Sequence, residues 1–203
     1  MEGRSAKEIR SGSARALLIV DLQNDFLPGG ALPVPMGDKV VPELNRYISA
    51  FRRSGARIVA TMDWHPADHC SFRERGGPWP PHCVRRTWGA RICKDLKLPR
   101  DALIVKKATK PDEEAYSGFQ GTGLGPRLKE MGIREIFVGG VATDYCVKNT
   151  VLDALKEGFE VYVLQDAIKG IDAKPGDVER AKEEMRAAGA KFLTSADLLL
   201  PYS

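Results

Sequence analysis

The stretch ALLIVD, residues 16–21, decides the fold, because it is a continuous apolar run that ends in an acid. A strand that is buried on both faces of a parallel sheet has this pattern, whereas a half-exposed strand alternates apolar and polar residues. We therefore predict a central parallel strand over these residues, with Asp21 at its carboxyl tip.

Strand and helix patterns alternate on the C-terminal side of this strand. Strands are predicted at residues 57–62, 102–105, 135–139, 160–164 and 191–193, and helices at residues 38–54, 144–157 and 174–188. This alternation predicts a three-layer α/β/α doubly wound fold with a mainly parallel central sheet. Ligands of such sheets bind at the carboxyl ends of the strands.

Composition limits the class of protein. The chain has 203 residues and a net charge of +4, and its 31 Lys and Arg are interspersed with 27 Asp and Glu. We expect one domain over residues 14–203, preceded by a mobile tail at residues 1–13. Nucleic acid and membranes are not expected as partners, because the sequence has neither a large basic patch nor a long apolar run. A homo-oligomer is left open.

No secretion signal or membrane anchor is visible in the sequence, and this expectation decides how the cysteines are interpreted. The chain has four, Cys70, Cys83, Cys93 and Cys146, and no CxxC pair. In the cytoplasm, which is the location we expect, they would be thiols. Because a free cysteine usually packs as a small apolar residue, each needs further evidence before it is assigned a chemical role.

Cys146 follows the segment GGVATDY, residues 139–145, in which a buried strand gives way to the start of a helix. The first turn of a helix carries unpaired N–H groups and a partial positive charge, which lower a thiol pKa and can bind an oxyanion. The segment alone is equally consistent with a nucleophile and with a cysteine that only packs beneath the helix.

Asp21 and Lys107 each end a predicted strand and can therefore meet Cys146 at one sheet edge. A carboxylate can take the thiol proton, and an ammonium favours both anions. Taken singly, Asp21 also fits a turn and Lys107 a solvated strand end. Only one of Lys106 and Lys107 can enter the site, because strand side chains alternate.

All three histidines of the chain lie between residues 65 and 82, in a long irregular stretch that begins after the second strand. Asp63 and His65 are two residues apart in an extended segment and present their side chains to one side, and His82 could complete the set. This concentration favours a metal site over isolated histidines, with His69 nearby.

Together these groups resemble the nicotinamidases, within the isochorismatase-like cysteine hydrolases. The resemblance runs from about Ala14 to the C-terminus and is carried by VDLQNDF at 20–26, PGGAL at 28–32, DWHP at 63–66, WPPHC at 79–83, Lys-Ala at 107–108, EAYSGF at 114–119 and GGVATDYC at 139–146. It implies a metal-dependent amidase that hydrolyses nicotinamide to nicotinate and ammonia through a cysteine thioester, in NAD salvage.

The resemblance also implies the roles of individual residues. The catalytic triad would be Asp21, Lys107 and Cys146, with Lys107 preferred to Lys106 because the lysine of the family directly precedes a small residue. One divalent cation, zinc first and iron or manganese as alternatives, would be bound by Asp63, His65 and His82, with His69 as either a fourth ligand or a supporting residue.

The same resemblance implies a substrate pocket. Phe26 and Trp79 would sandwich the ring, with Leu32 and Tyr116 nearby. The bond between Val141 and Ala142 would be cis, and the oxyanion hole would consist of the N–H groups of Ala142 and Cys146.

One departure from the family pattern lies after His82-Cys83-Val84, where a Gly is common before the Thr but Arg85 and Arg86 stand here. The main alternative function is a related amidase for a carbamoyl or ureido substrate, in which the metal set is usually missing. An isochorismate hydrolase lacks the nucleophilic cysteine, and a silent scaffold would not need the triad.

Overall fold

A computed structural model describes residues 14–198, and the tail expected at residues 1–13 lies outside them. The centre of the fold is a six-stranded sheet in the order β3-β2-β1-β4-β5-β6, with every pair of neighbours parallel. The strands are β1 Arg15–Val20, β2 Arg57–Asp63, β3 Leu103–Lys107, β4 Glu135–Val141, β5 Glu160–Lys169 and β6 Lys191–Leu193.

Four α-helices lie among the described residues: α1 Val40–Arg53, α2 Leu124–Glu130, α3 Lys148–Lys156 and α4 Asp177–Ala187. The apolar side of α1 packs on one face of the sheet, together with apolar residues of the β2–β3 connection. Apolar residues of α2, α3 and α4 pack on the other face. These layers confirm the predicted three-layer α/β/α fold.

The central strand β1 is buried on both faces, as its composition predicts. Leu17 and Ile19 pack in one apolar cluster with Phe51 of α1, while Leu18 packs in the other with Val151 of α3, and all five side chains are fully buried. The alternation of side chains along β1 thus joins both halves of the core.

The strand order reverses between β1 and β4, and this position matters for function. From β1 the chain adds β2 and β3 on one side, and β4, β5 and β6 extend the sheet on the other. Connections leave the two central strands in opposite directions, so a crevice opens at their carboxyl ends. Asp21 immediately follows β1, and Ala142 immediately follows β4.

The connection between β2 and β3, residues 64–102, contains no strand and only one short 3₁₀ turn, Arg73–Arg75. Gln23 holds it against the sheet: its side-chain amide donates to the carbonyl oxygens of Asp63, at 2.7 Å, and Ala90, at 2.9 Å. Its own amide oxygen accepts from the N–H of Asp63, at 2.8 Å. A fully buried glutamine with these three bonds is well satisfied.

Several element boundaries differ from the prediction. The predicted helix at 144–157 begins instead with a π-helical turn, Thr143–Val147, that leads into α3. Helix α4 begins at Asp177 rather than at residue 174, because Gly176 has a φ of 90° and ends the preceding loop. Helix α2 was not predicted. Within residues 14–198, no helix combines the length and apolar character needed to span a bilayer.

Candidate active site

The carboxyl ends of the central strands bring Asp21, Lys107 and Cys146 together. The ammonium nitrogen of Lys107 lies 2.9 Å from Oδ2 of Asp21 and 3.5 Å from Sγ of Cys146. It also donates to the carbonyl oxygen of Ala115, at 3.1 Å. The three side chains lie on separate segments, after β1, at the end of β3 and in the π-helical turn after β4, so the sheet edge alone assembles them.

The alternation of β3 decides which lysine enters this cluster. Lys107 is buried, whereas the adjacent Lys106 is exposed and lies over the ring of Trp64, with its Nζ 3.9 Å from the ring centroid. The structure therefore places inside the site the lysine that the resemblance selects.

Burial dominates the protonation of the acid and the thiol. Desolvation raises the pKa of Asp21 above its usual value, although the charge of Lys107 and a hydrogen bond from Oγ1 of Thr61, at 2.7 Å, oppose the rise. Desolvation also raises the pKa of Cys146 well above its usual value despite Lys107. The expected lowering by the helix terminus is thus outweighed, and the thiol needs a base.

Lys107 stays charged although it is buried. Desolvation alone would lower its pKa, but the carboxylates of Asp21 and Asp63 hold it well above the usual value. Burial would likewise raise the pKa of Asp63, yet the charge of Lys107, 2.5 Å from Oδ1, holds it well below the usual range. One ammonium therefore compensates two buried carboxylates.

Asp63, His65 and His82 form a compact cluster of buried groups whose ligand atoms lie within 4.8 Å of one another. Nδ1 of His65 is 3.3 Å from the carbonyl oxygen of Ala108, and Nδ1 of His82 is 2.8 Å from that of Pro80. A carbonyl oxygen only accepts, so each Nδ1 carries a proton, and in the neutral tautomer Nε2 is the nitrogen with a lone pair for a cation. The two carbonyl contacts therefore orient both imidazoles so that Nε2 can bind a metal ion.

The cluster fits a divalent cation. Nε2 of His65 is buried without a hydrogen-bond partner among the described residues, and Oδ2 of Asp63 lies 3.6 Å from it. Two electron-rich atoms at this separation favour a cation between them, and one carboxylate with two imidazoles suits zinc, iron or manganese. A second cluster, Asp21, Asp63 and Cys146, surrounds the Lys107 ammonium instead.

His69 is outside this ligand cluster, although its ring centroid lies 4.2 Å from that of His65, with the two rings tilted by 35°. Nε2 of His69 donates to the carbonyl oxygen of Glu113, at 3.1 Å, so Nδ1 accepts from the hydroxyl of Ser71, at 2.7 Å. Both ring nitrogens are therefore engaged. The structure thus places His69 beside the ligand cluster and not within it.

Next to both clusters lies a small, narrow pocket. All four residues expected to contact the substrate line it, namely Phe26, Leu32, Trp79 and Tyr116. Nε1 of Trp79 donates to the hydroxyl of Tyr116, at 3.0 Å, and the indole packs edge-on against Tyr145 with ring centroids 5.0 Å apart. The aromatic walls therefore brace one another.

The floor of the pocket contains the backbone that was expected to form an oxyanion hole. The peptide bond between Val141 and Ala142 is cis, as the resemblance implies. Ala142 and Cys146 both line the pocket, and the carbonyl oxygen of Ala142 accepts the N–H groups of Tyr145 and Val147, which fixes the turn between them.

Comparison with known proteins agrees with this geometry. The sequence profile of the Isochorismatase domain matches residues 15–197. The chain belongs to the isochorismatase family.

Among its relatives, a nicotinamidase of Escherichia coli (strain K12) is 42% identical over 204 residues, covering 90% of this chain and 96% of the relative. The crystal structure of a pyrazinamidase of Pyrococcus horikoshii in complex with zinc has a TM-score of 0.86 at 58% identity and covers 89% of this chain and 99% of its own. A structure of PnC1 from L. infantum in complex with nicotinate has a TM-score of 0.86 at 37% identity and covers 95% of this chain and 98% of its own.

The departure from the family pattern has a structural reading. Arg86 has a φ of 71°, a left-handed conformation that glycine adopts without steric cost and an arginine does not. A glycine at position 86, which the family resemblance leads one to expect before the Thr, would suit this turn. Both Arg85 and Arg86 are exposed, and neither lines the pocket described above.

Three further residues line the pocket without having been predicted: Glu114, Tyr145 and Ile171. Glu114 and Tyr145 belong to quoted family motifs and could have been proposed from their proximity to Tyr116 and Cys146. Ile171 follows β5 in a segment without any motif, and nothing in the sequence marks it.

Proposed function

We propose that this protein hydrolyses nicotinamide to nicotinate and ammonia, acting on a linear amide C–N bond through a thioester on Cys146. The observation that carries the proposal is that the candidate nucleophile and the Asp63–His65–His82 cluster open on the same aromatic pocket. A small planar ring amide suits such a pocket, because its ring can stack on aromatic walls while its carboxamide faces the thiol.

The family relationship supports the same substrate. Relatives from Escherichia coli and Acinetobacter baylyi bear the name nicotinamidase, at 42% and 38% identity. A related carbamoyl or ureido amidase is the alternative, but the buried ligand cluster favours a substrate with a ring nitrogen.

Asp63, His65 and His82 would hold one divalent cation, for which zinc is our first choice. When bound, this ion would supply a Lewis acid for the ring nitrogen of the substrate. The chain itself orients the ligands: Ala108 and Pro80 fix the two imidazoles, and Lys107 fixes the carboxylate.

In the proposed acylation, the ring lies between Phe26 and Trp79, and Asp21 takes the proton from the Cys146 thiol. The sulfur adds to the carboxamide carbon, and the N–H groups of Ala142 and Cys146 bind the resulting oxyanion. Asp21 then gives the proton to the leaving nitrogen, and ammonia departs as the thioester forms.

In the proposed deacylation, water enters the position that ammonia vacates. Asp21 takes one proton from this water as its oxygen adds to the thioester carbon, and the same oxyanion hole binds the second tetrahedral intermediate. Collapse expels the Cys146 thiolate, which recovers the proton from Asp21, and the product leaves as nicotinic acid, which gives its own proton to solvent to become nicotinate. Throughout, the positive charge of Lys107 stabilises the negative charge as it moves between Asp21 and Cys146.

The cellular setting is part of the proposal. We propose a cytoplasmic enzyme of NAD salvage that has no nucleic acid or membrane partner, and a homo-oligomer is compatible with it. Free cysteines without a disulfide among the described residues support a reducing compartment. The family match over residues 15–197 supports one hydrolase domain over residues 14–203.

The deciding experiment measures ammonia release from nicotinamide by the purified protein, with the metal content of each sample. Cys146→Ala should lose activity and keep metal, whereas His82→Ala should lose both. Cys83→Ala is a matched control, because Cys83 is also buried but lies outside the pocket lining. Wild-type protein that carries metal yet releases no ammonia would refute nicotinamide as the substrate and redirect the search to other ring amides or to ureido amides.

A further inference from the structure

Asp144 has no part in the chemistry above, yet its buried carboxylate joins two segments of the pocket. It lies in the π-helical turn, two residues before Cys146. Its Oδ1 accepts the N–H of Ile171, at 2.9 Å, and its Oδ2 accepts the N–H of Asp172, at 2.8 Å. One side chain therefore binds two consecutive amides of the segment that follows β5.

We propose that Asp144 is a positioning residue that holds Ile171 in place as a wall of the substrate pocket. The amide that it binds belongs to Ile171 itself, whose side chain lines the pocket together with Cys146 and Tyr145. The inference rests on the proposed function for its substrate. The distance between the nucleophile and this wall is then set by one carboxylate.

The backbone around this contact is shaped for it. A Cβ at Gly170 would lie 2.7 Å from Oδ1 of Asp144 and 2.4 Å from Cγ2 of Val178, so only glycine allows the segment to approach this closely. Asp172 has a φ of 54°, in the left-handed region, and its own Oδ1 accepts the N–H of Val178, at 3.1 Å. Left-handed residues of this kind persist where surrounding contacts determine them.

Charge makes the contact specific. An ionised carboxylate offers both oxygens as acceptors, and such charge-assisted bonds are stronger than neutral ones. An asparagine has nearly the same shape but only one acceptor, and its NH₂ group would face an N–H. Asp144→Asn should therefore release one end of the segment without creating a cavity.

The test is a double-mutant cycle on nicotinamide hydrolysis. Asp144→Asn and Ile171→Ala should each raise KM by about fivefold with kcat nearly unchanged, because a ring wall binds substrate and transition state alike. Together they should raise KM no more than Ile171→Ala alone. The proposal would be overturned if Asp144→Asn raised KM by the same factor in the wild type and in Ile171→Ala. It would also be overturned if Asp144→Asn lowered kcat at constant KM, since Asp144 would then act through Cys146 or through the stability of the fold.

Asp177→Asn is the matched control. Asp177 is the first residue of α4, directly after the connection from β5, and its Oδ2 also accepts a backbone N–H from that connection, that of Lys174, at 2.8 Å, but it does not line the pocket. This variant should keep the wild-type KM. A rise equal to that of Asp144→Asn would show a general effect of the loop and overturn the proposal.

A second measurement separates this inference from the assigned substrate. The rate at which iodoacetamide alkylates Cys146, followed by peptide mass mapping, reports access to the thiol and needs no turnover. Asp144→Asn and Ile171→Ala should both speed it by about threefold or more, and Asp177→Asn should not. Wild-type protein without nicotinamidase activity would refute the proposed function, and unchanged alkylation in Asp144→Asn would refute the positioning role.

Discussion

The ammonium nitrogen of Lys107 lies 3.5 Å from the sulfur of Cys146, and both side chains are buried. This lysine also contacts Asp21, the proposed base, and Asp63, a proposed metal ligand. The nucleophile and the metal cluster are thus electrostatically linked through a single cation. A substitution of Lys107 should therefore affect both the reactivity of the nucleophile and the binding of the metal.

Lys107→Met should abolish most activity and destabilise the fold. Removing the ammonium leaves Asp21 and Asp63 buried without their charge partner, which costs about 3–5 kcal/mol of unfolding free energy. We expect kcat/KM for nicotinamide to fall by roughly two orders of magnitude or more. Denaturant unfolding and steady-state kinetics measure the two effects. Lys106→Met, on the exposed face of the same strand, should change neither the free energy of unfolding nor kcat/KM. Equal losses in the two variants would contradict the proposed role of the Lys107 charge.

Thr61→Val should move the acidic limb of the pH–activity profile to higher pH. Asp21 must be ionised to accept the thiol proton, and burial already raises its pKa while the Thr61 hydroxyl opposes that rise. Without the hydroxyl the carboxylate is less stable, so protonation occurs at a pH about one unit higher. The profile of kcat/KM reports this value for the free enzyme. A limb that stays in place or moves to lower pH would exclude Asp21 as the group it reports.

Metal content should distinguish His82 from His69. His82→Gln removes a proposed ligand. The contact between its Nδ1 and the Pro80 carbonyl orients the ring so that Nε2 can bind the metal, so the purified variant should contain little metal after dialysis. His69→Gln removes a ring whose two nitrogens are already bonded to Ser71 and Glu113, so it should retain about one ion per chain. Elemental analysis of both samples decides the matter, and comparable loss from the two variants would make His69 a ligand.

Arg86→Gly should stabilise the protein slightly. The left-handed conformation of Arg86 costs about 1–2 kcal/mol for a residue with a Cβ, and the greater freedom of glycine in the unfolded chain offsets part of the gain. We expect a net increase of about 0.5–1 kcal/mol in the free energy of unfolding. Arg85→Gly, at an adjacent exposed position without a positive φ, should be destabilising, and the reverse order would show that the turn carries no strain.

The sequence predicts the sheet well and its surroundings less well. Apolar runs such as ALLIVD predict buried strands, and the carboxyl ends of parallel strands lie at one edge of the sheet, which is where Asp21, Lys107 and Cys146 are expected to meet. Helix α2 was missed, because its seven residues are too few for periodicity to stand out. Ile171 was missed because its backbone N–H is bound by the carboxylate of Asp144, which lies on a different segment. No local sequence pattern reveals such a contact.

The strand order also predicts the sequence in which helical structure and amidase activity return during refolding. Residues 21, 63, 107 and 146 meet only when β3, β2, β1 and β4 have paired, and each of these pairings joins segments far apart in the chain. Forming such long-range parallel pairs is slow compared with forming local helices. During refolding, helical circular dichroism should therefore return before amidase activity, and the return of activity marks the moment at which the middle of the sheet is complete.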